Sequence, residues 1–132
     1  DQEVIRIGAD QNKFDVLQDL LALDEIEKVL IFEETKHKVN KLSKMLNQKG
    51  IRSDEIHGNK TQSARQKALN NFKTGKVNVL VATDVAARGI DVSDITHVIN
   101  YQVPQSFDTY IHRIGRTGRA GKVGKAYTLL GG

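Results

Sequence analysis

The stretch Val29-Leu30-Ile31-Phe32-Glu33-Glu34-Thr35-Lys36-His37-Lys38-Val39-Asn40-Lys41-Leu42 passes from one kind of local order to another within fourteen residues. Its first four residues form a near-continuous apolar run, the pattern of a short strand buried on both faces. Thr35 then offers a side-chain oxygen that can cap a helix. Val39, Leu42 and Leu46 follow at helical spacing, and Gly50 closes the helix, because the left-handed residue after a last turn is most easily glycine. The other face carries Lys36, Lys38, Lys41, Lys44 and Lys49. A solvated helix surface explains that row before an RNA track does.

Working outward, the same alternation fills the chain. Residues 4–7 read as a strand, and Asp10 as the cap of a helix whose stripe is Phe14, Leu17, Leu20 and Leu21. Residues 51–57 read as a third strand, followed by a helix over 61–72 with Ala68, Leu69 and Phe72 inward. Residues 77–82 and 97–101 read as strands. Ser106 can cap a helix running through Tyr110 and Ile111, and 126–130 makes a last strand. No repeat, low-complexity tract or linker interrupts the series. Strands alternating with helices of this length predict one α/β domain over 1–132, a mostly parallel sheet layered between helices.

Composition narrows the class. The 132 residues are 39% apolar and 27% charged, with one Pro and no Cys. That balance excludes a disordered or collagen-like chain. A disulfide framework or thiolate metal site is excluded too, which suits a reducing compartment. No apolar run approaches the roughly 20 residues that span a bilayer, and no signal-peptide pattern opens the chain. The expectation is a soluble, cytoplasmic, monomeric domain with no membrane contact. The net charge of +4 is uneven: residues 1–35 carry 3 basic and 10 acidic side chains, residues 36–132 carry 17 and 6. A basic body of this kind suits a polyanionic partner, as it also suits plain solubility.

In open parallel sheets, ligands gather at the carboxyl ends of the strands. Three segments of unusual polar content fall there. His57-Gly58, with Gln62 and Arg65, follows the third strand. Ala82-Thr83-Asp84-Val85-Ala86-Ala87-Arg88-Gly89-Ile90-Asp91 follows the fourth, where the Thr83 hydroxyl lies beside the N–H groups of a helical turn and suits a phosphate. Asp91, in its glycine-containing loop with Gly89, could accept ribose hydroxyls or simply cap a turn. The third segment is His112-Arg113-Ile114-Gly115-Arg116-Thr117-Gly118-Arg119. Arg113, Arg116 and Arg119 recur every three residues, so in a helical turn they share one face and repel unless an anion gathers them. The planar guanidinium fork matches phosphate oxygens. A solvated basic face would not call for the interleaved Gly115 and Gly118, which cost about 1 kcal/mol each inside a helix.

What the chain does not contain is equally informative. It has no G-x-x-x-x-G-K-[ST] loop, and no second acidic residue sits near Asp84 or Asp91 in a Walker-B-like arrangement for Mg²⁺. No Ser/His/Asp set suggests a nucleophile, and His37 and His97 lack ligand spacing. A phosphate-gripping surface without its own nucleotide cradle reads as half of a site.

These segments resemble the motifs of the C-terminal RecA-like domain of DEAD-box RNA helicases, over essentially the full length. Residues 29–36 resemble motif IV. Gln62-Ser63-Ala64-Arg65, preceded by His57-Gly58, resembles motif IVa. Residues 82–92 resemble motif V, and 110–119 resemble motif VI. The stretch 56–73 leans toward the bacterial RhlE-like branch. The resemblance implies a three-layer RecA-like α/β/α fold. It further implies that Arg116 and Arg119 are arginine fingers reaching the γ-phosphate of ATP held on an N-terminal RecA-like domain of the same protein. Asp91 would contact that ATP's ribose, with Gly89 in the same loop. His112 and Arg113 would couple the ATP cleft to the RNA side. Thr83, Arg65, Gly58 and Thr35 would hold RNA phosphates, with Gln62 in support. The nucleotide cradle, the DEAD carboxylates, most of the Mg²⁺ coordination and the Q motif would lie in the N-terminal domain. One departure is visible. After the motif IV aromatic the family usually carries small, aliphatic or amide residues, where this chain has Glu33 and Glu34. Two other readings stand beside this one: a stand-alone RNA-binding or dimerisation module, disfavoured by the 5% aromatic content, and a DNA-directed helicase of the wider superfamily.

Overall fold

The computed structural model describes residues 2–23, 26–58, 61–87, 95–103 and 125–131. Their elements run β1 (Gln2–Arg6), α1 (Lys13–Leu21), β2 (Val29–Phe32), α2 (Lys36–Gln48), β3 (Ser53–Ile56), α3 (Gln62–Lys73), β4 (Val79–Ala82), α4 (Asp84–Ala87), β5 (His97–Asn100) and β6 (Lys125–Leu130). The strands form one sheet in the order β1-β6-β5-β2-β4-β3, and every pairing among them is parallel.

The strands alternate cleanly between two cores. Leu30, Phe32, Leu80, Ala82 and Val98 point to one face, where they meet Ala68 and Phe72 of α3 and Ala86 and Ala87 of α4. Val29, Ile31, Val79, Val81 and Ile99 point to the other, against Phe14, Leu17 and Leu20 of α1 and Val39, Leu42 and Leu46 of α2. A period of two with both parities apolar is what a sheet covered on both sides requires. Each fully buried Val, Leu, Ile or Phe among them stabilises the fold by about 1.5–3 kcal/mol.

Capping follows the sequence with one correction. Thr35 caps α2, its hydroxyl accepting from the Lys38 N–H at 3.2 Å. Gly50 sits past the end of that helix at φ +79, the left-handed turn expected of it. The cap of α1, however, is Asn12 and not Asp10: Asn12 Oδ1 accepts the N–H groups of Phe14 and Asp15 at 2.9 and 3.2 Å. Asp10 lies in a tight turn in which the Gln11 N–H reaches the Gly8 carbonyl at 3.1 Å and Gln11 Oε1 accepts from the Gly8 N–H at 2.7 Å. Both residues are good caps, and the turn decides between them. The helix expected after Ser106 lies outside the described residues.

Candidate RNA-contacting surface at the strand ends

The register places three strand ends side by side. Phe32 of β2 pairs with Ala82 of β4, and Ala82 pairs with Ile56 of β3. Adjacent strands lie about 4.8 Å apart, so the residues that follow emerge as a row on one edge of the sheet. Two backbone bonds carry the ladder beyond the strands. The Glu33 N–H donates to the Ala82 carbonyl at 3.0 Å, and the Thr83 N–H to the Ile56 carbonyl at 3.4 Å.

On this row sit five of the residues singled out from sequence. Thr83, half-buried, accepts the Ala86 N–H on its hydroxyl at 3.4 Å while its carbonyl accepts from Ala87 at 3.0 Å, so it caps α4. Thr35, exposed, does the same for α2. A capping hydroxyl accepts with a lone pair and keeps its own hydrogen to donate. Gly58 is exposed, and a Cβ built there would meet nothing within 4 Å. Thr61 caps α3, accepting from the Ala64 N–H at 3.1 Å. Gln62 and Arg65 therefore stand in the first turn of that helix, Gln62 exposed and Arg65 half-buried. The strand ends thus carry hydroxyls, a bare glycine and an arginine on neighbouring elements, donors suited to phosphate oxygens. Gly89, Asp91, His112, Arg113, Arg116 and Arg119 lie outside the described residues.

The acidic pair after β2 is resolved by its neighbours. Glu33 is only 5% exposed, and its Oε1 accepts the Glu34 N–H at 2.7 Å. Glu34 pairs with Lys38 at 2.9 Å, an exposed contact four residues apart on the chain. The bond and the Glu34 charge raise the Lys38 pKa. Glu33 faces a cleft of about 470 Å³ between the start of α1 and the first three turns of α2, lined also by Asn12, Lys13, Lys41 and Tyr101. Lys13 Nζ lies 4.7 Å from the centre of the Tyr101 ring. Burial lowers the Lys13 pKa, opposed by the Glu33 carboxylate. Burial and the same carboxylate push the Tyr101 phenol up to about 12. Each acid thus has a lysine as electrostatic partner, Lys38 for Glu34 and Lys13 for Glu33. No sequence signal marks this cluster, because its members come from three separate elements.

Among the described residues no group of three His, Cys, Asp or Glu is arranged to hold a metal ion. No described helix is long and apolar enough to cross a membrane.

Residues 12–121 match the family model of the helicase conserved C-terminal domain. The chain belongs to that family. It is of the DEAD-box type. The ATP-dependent RNA helicase CshA of Listeria monocytogenes is 51% identical over 107 residues, which cover 81% of this chain and 21% of that protein. The chain therefore spans about a fifth of this curated relative. In three dimensions the helicase domain resembles the Escherichia coli DEAD-box protein SrmB, solved bound to regulator of ribonuclease activity A. The TM-score is 0.90 at 41% identity, over 98% of this chain and 75% of that one. Yeast Dbp5 bound to RNA and ADP BeF3 gives a TM-score of 0.85 at 35% identity, over 99% of this chain and 35% of that one. The all-parallel six-stranded sheet with helices on both faces is the RecA-like fold expected from the motifs.

Proposed function

We propose that this domain is the C-terminal half of an ATP-dependent RNA helicase, gripping RNA phosphates while it senses ATP held on an N-terminal RecA-like domain. The observation that carries the RNA part is the row of donors on adjacent strand ends: the hydroxyls of Thr35 and Thr83, the bare backbone at Gly58, and Gln62 and Arg65 on the first turn of α3. Spacing them on consecutive strands suits successive phosphates of one strand, and phosphate contacts make binding indifferent to sequence and sensitive to salt. The likeness to yeast Dbp5 bound to RNA and ADP BeF3 supports the same ligand pair.

On the nucleotide side, Arg116 and Arg119 would meet the γ-phosphate, Asp91 with Gly89 the ribose, and His112 and Arg113 would link the two ligands. ATP would be the substrate, and Mg²⁺ would be held mainly by the N-terminal domain. Closure of both domains around ATP and RNA would bend one RNA strand and open a short duplex, and hydrolysis would release it. An arginine finger lowers a phosphoryl-transfer barrier by about 10³–10⁵-fold in related nucleotide hydrolases. The test is ATPase activity of the full-length protein with and without RNA. Strong stimulation by RNA and weak stimulation by DNA is expected; equal stimulation by DNA overturns the RNA assignment.

A further inference from the structure

The edge strand β3 carries two carboxylates, and each is met by an amide from a helix. Asp54 receives the Asn71 side chain of α3, with Nδ2 donating at 3.3 Å. On the opposite face α2 lays a polar seam along the strand. Ser43 and Ser53 hydroxyls lie 3.0 Å apart, and Asn47 accepts the Ser53 N–H at 3.1 Å and donates to its carbonyl at 3.1 Å. One helical turn before Ser43 and two before Asn47, Asn40 reaches the end of the strand.

One end of the Asn40 amide stands 2.7 and 2.8 Å from the two oxygens of Glu55, and 2.9 Å from His57 Nε2. An amide oxygen in that place would face two anionic oxygens, whereas an NH₂ has two hydrogens to give. The end is therefore Nδ2, donating one hydrogen to the carboxylate and one to the imidazole. A ring nitrogen that accepts is unprotonated, so neutral His57 carries its hydrogen on Nδ1. His57 is buried, directly precedes Gly58, and follows the Ile56 carbonyl that holds Thr83.

We infer that Asn40 is a positioning residue: anchored on Glu55, it fixes the rotamer and tautomer of His57 and so sets the backbone of the His57-Gly58 corner at the end of β3. The inference rests on the RNA-gripping role proposed above, and it adds to it a residue outside the motif segments. Asn40 is exposed, so replacing it removes the bridge without opening a cavity in the core.

Three variants of the full-length protein test it. Asn40→Leu deletes the bridge. Asn40→Asp sets a second carboxylate against Glu55. The pair Asn40→Asp with Glu55→Gln rebuilds the bridge with the donors reversed: the carboxylate introduced on α2 accepts from the amide introduced on β3 and from His57 Nε2–H. Each single change is expected to raise the RNA concentration for half-maximal ATPase about threefold to tenfold, the effect of losing one or two hydrogen bonds. Turnover at saturating RNA and KM for ATP should hold. The pair should restore the half-saturation.

Nitrogen-15 NMR of the His57 ring in this chain supplies a readout that a merely structural role would not move. The wild type should be protonated on Nδ1 and the pair on Nε2. Protonation of wild-type His57 on Nε2, or single variants that keep the wild-type half-saturation, overturns the inference. A wild-type protein with no RNA stimulation at all overturns the functional reading itself, which separates the two failures.

Discussion

The Thr83 N–H donates to the Ile56 carbonyl at 3.4 Å, one residue beyond the last paired positions of β4 and β3. That bond ties the first residue after β4 to the last residue of β3, next to the His57-Gly58 corner. The two polar segments that a reader of the sequence would treat as separate motifs form one surface.

If that surface grips RNA, Thr83→Val in the full-length protein removes the hydroxyl and keeps the shape. The RNA concentration for half-maximal ATPase should rise about tenfold, the effect of losing one good phosphate hydrogen bond. Thr83→Ser should restore most of it. Equal effects of valine and serine would show that the methyl group matters and the hydroxyl does not.

Arg116→Ala probes the nucleotide side. Turnover should fall by about a thousandfold or more while ATP binding changes far less, because a finger acts on charge that develops in the transition state. Measuring kcat alongside the nucleotide Kd checks both halves. Turnover within a few-fold of wild type would contradict the finger assignment.

Phe72 anchors α3, and with it Gln62 and Arg65, to the sheet. It is fully buried between α3 and the β4 face, with Lys28 Nζ 5.5 Å from its ring centre. Phe72→Ala should destabilise the domain by about 3–5 kcal/mol, seen as a lower urea midpoint at an unchanged slope. A loss below about 1 kcal/mol would mean that the helix is held by something else.

Tyr101 makes the fold sensitive to alkali. Burial, and then the Glu33 carboxylate, push its phenol from 10.0 up to about 12. Below pH 10 both folded and unfolded chains keep the proton. Between pH 10 and 12 the unfolded chain ionises and the folded one resists, so stability falls through that window. Tyr101→Phe should show a shallower fall in the denaturation midpoint over the same range. Tyrosinate absorbance of the native wild type should contain one component near 12; complete ionisation near 10 would contradict it.

The alternation of strand and helix is legible because the apolar spacing itself changes between Phe32 and Val39, from a continuous run to a helical period. Strand ends are less so. The segment expected over 77–82 begins as a strand only at Val79. Asn78 still offers its carbonyl to the Val29 N–H at 2.9 Å, and Val77 packs beside the α3 core. The cap of α1 differs from the expected one because Asp10 and Asn12 are both good caps and only the Gly8–Gln11 turn separates them.

The candidate surface is legible where chemistry is local. Thr83, Gly58 and Arg65 announce themselves by lying just past strands in a parallel sheet. Asn40 announces nothing, because its role depends on α2 crossing back over β3 to bring it against residues fifteen and seventeen positions later. The cluster of Lys13, Glu33 and Tyr101 is still more scattered along the chain. Such groupings are set by how helices lie on the sheet, which no spacing rule encodes.

The central claim is that this domain supplies one half of a composite ATPase. The most direct measurement is ATP hydrolysis by three samples at one RNA concentration: this chain alone, the N-terminal domain alone, and the full-length protein. The predicted result is RNA-stimulated hydrolysis by the full-length protein only, abolished there by Arg116→Ala. RNA-stimulated hydrolysis by this chain alone would contradict it.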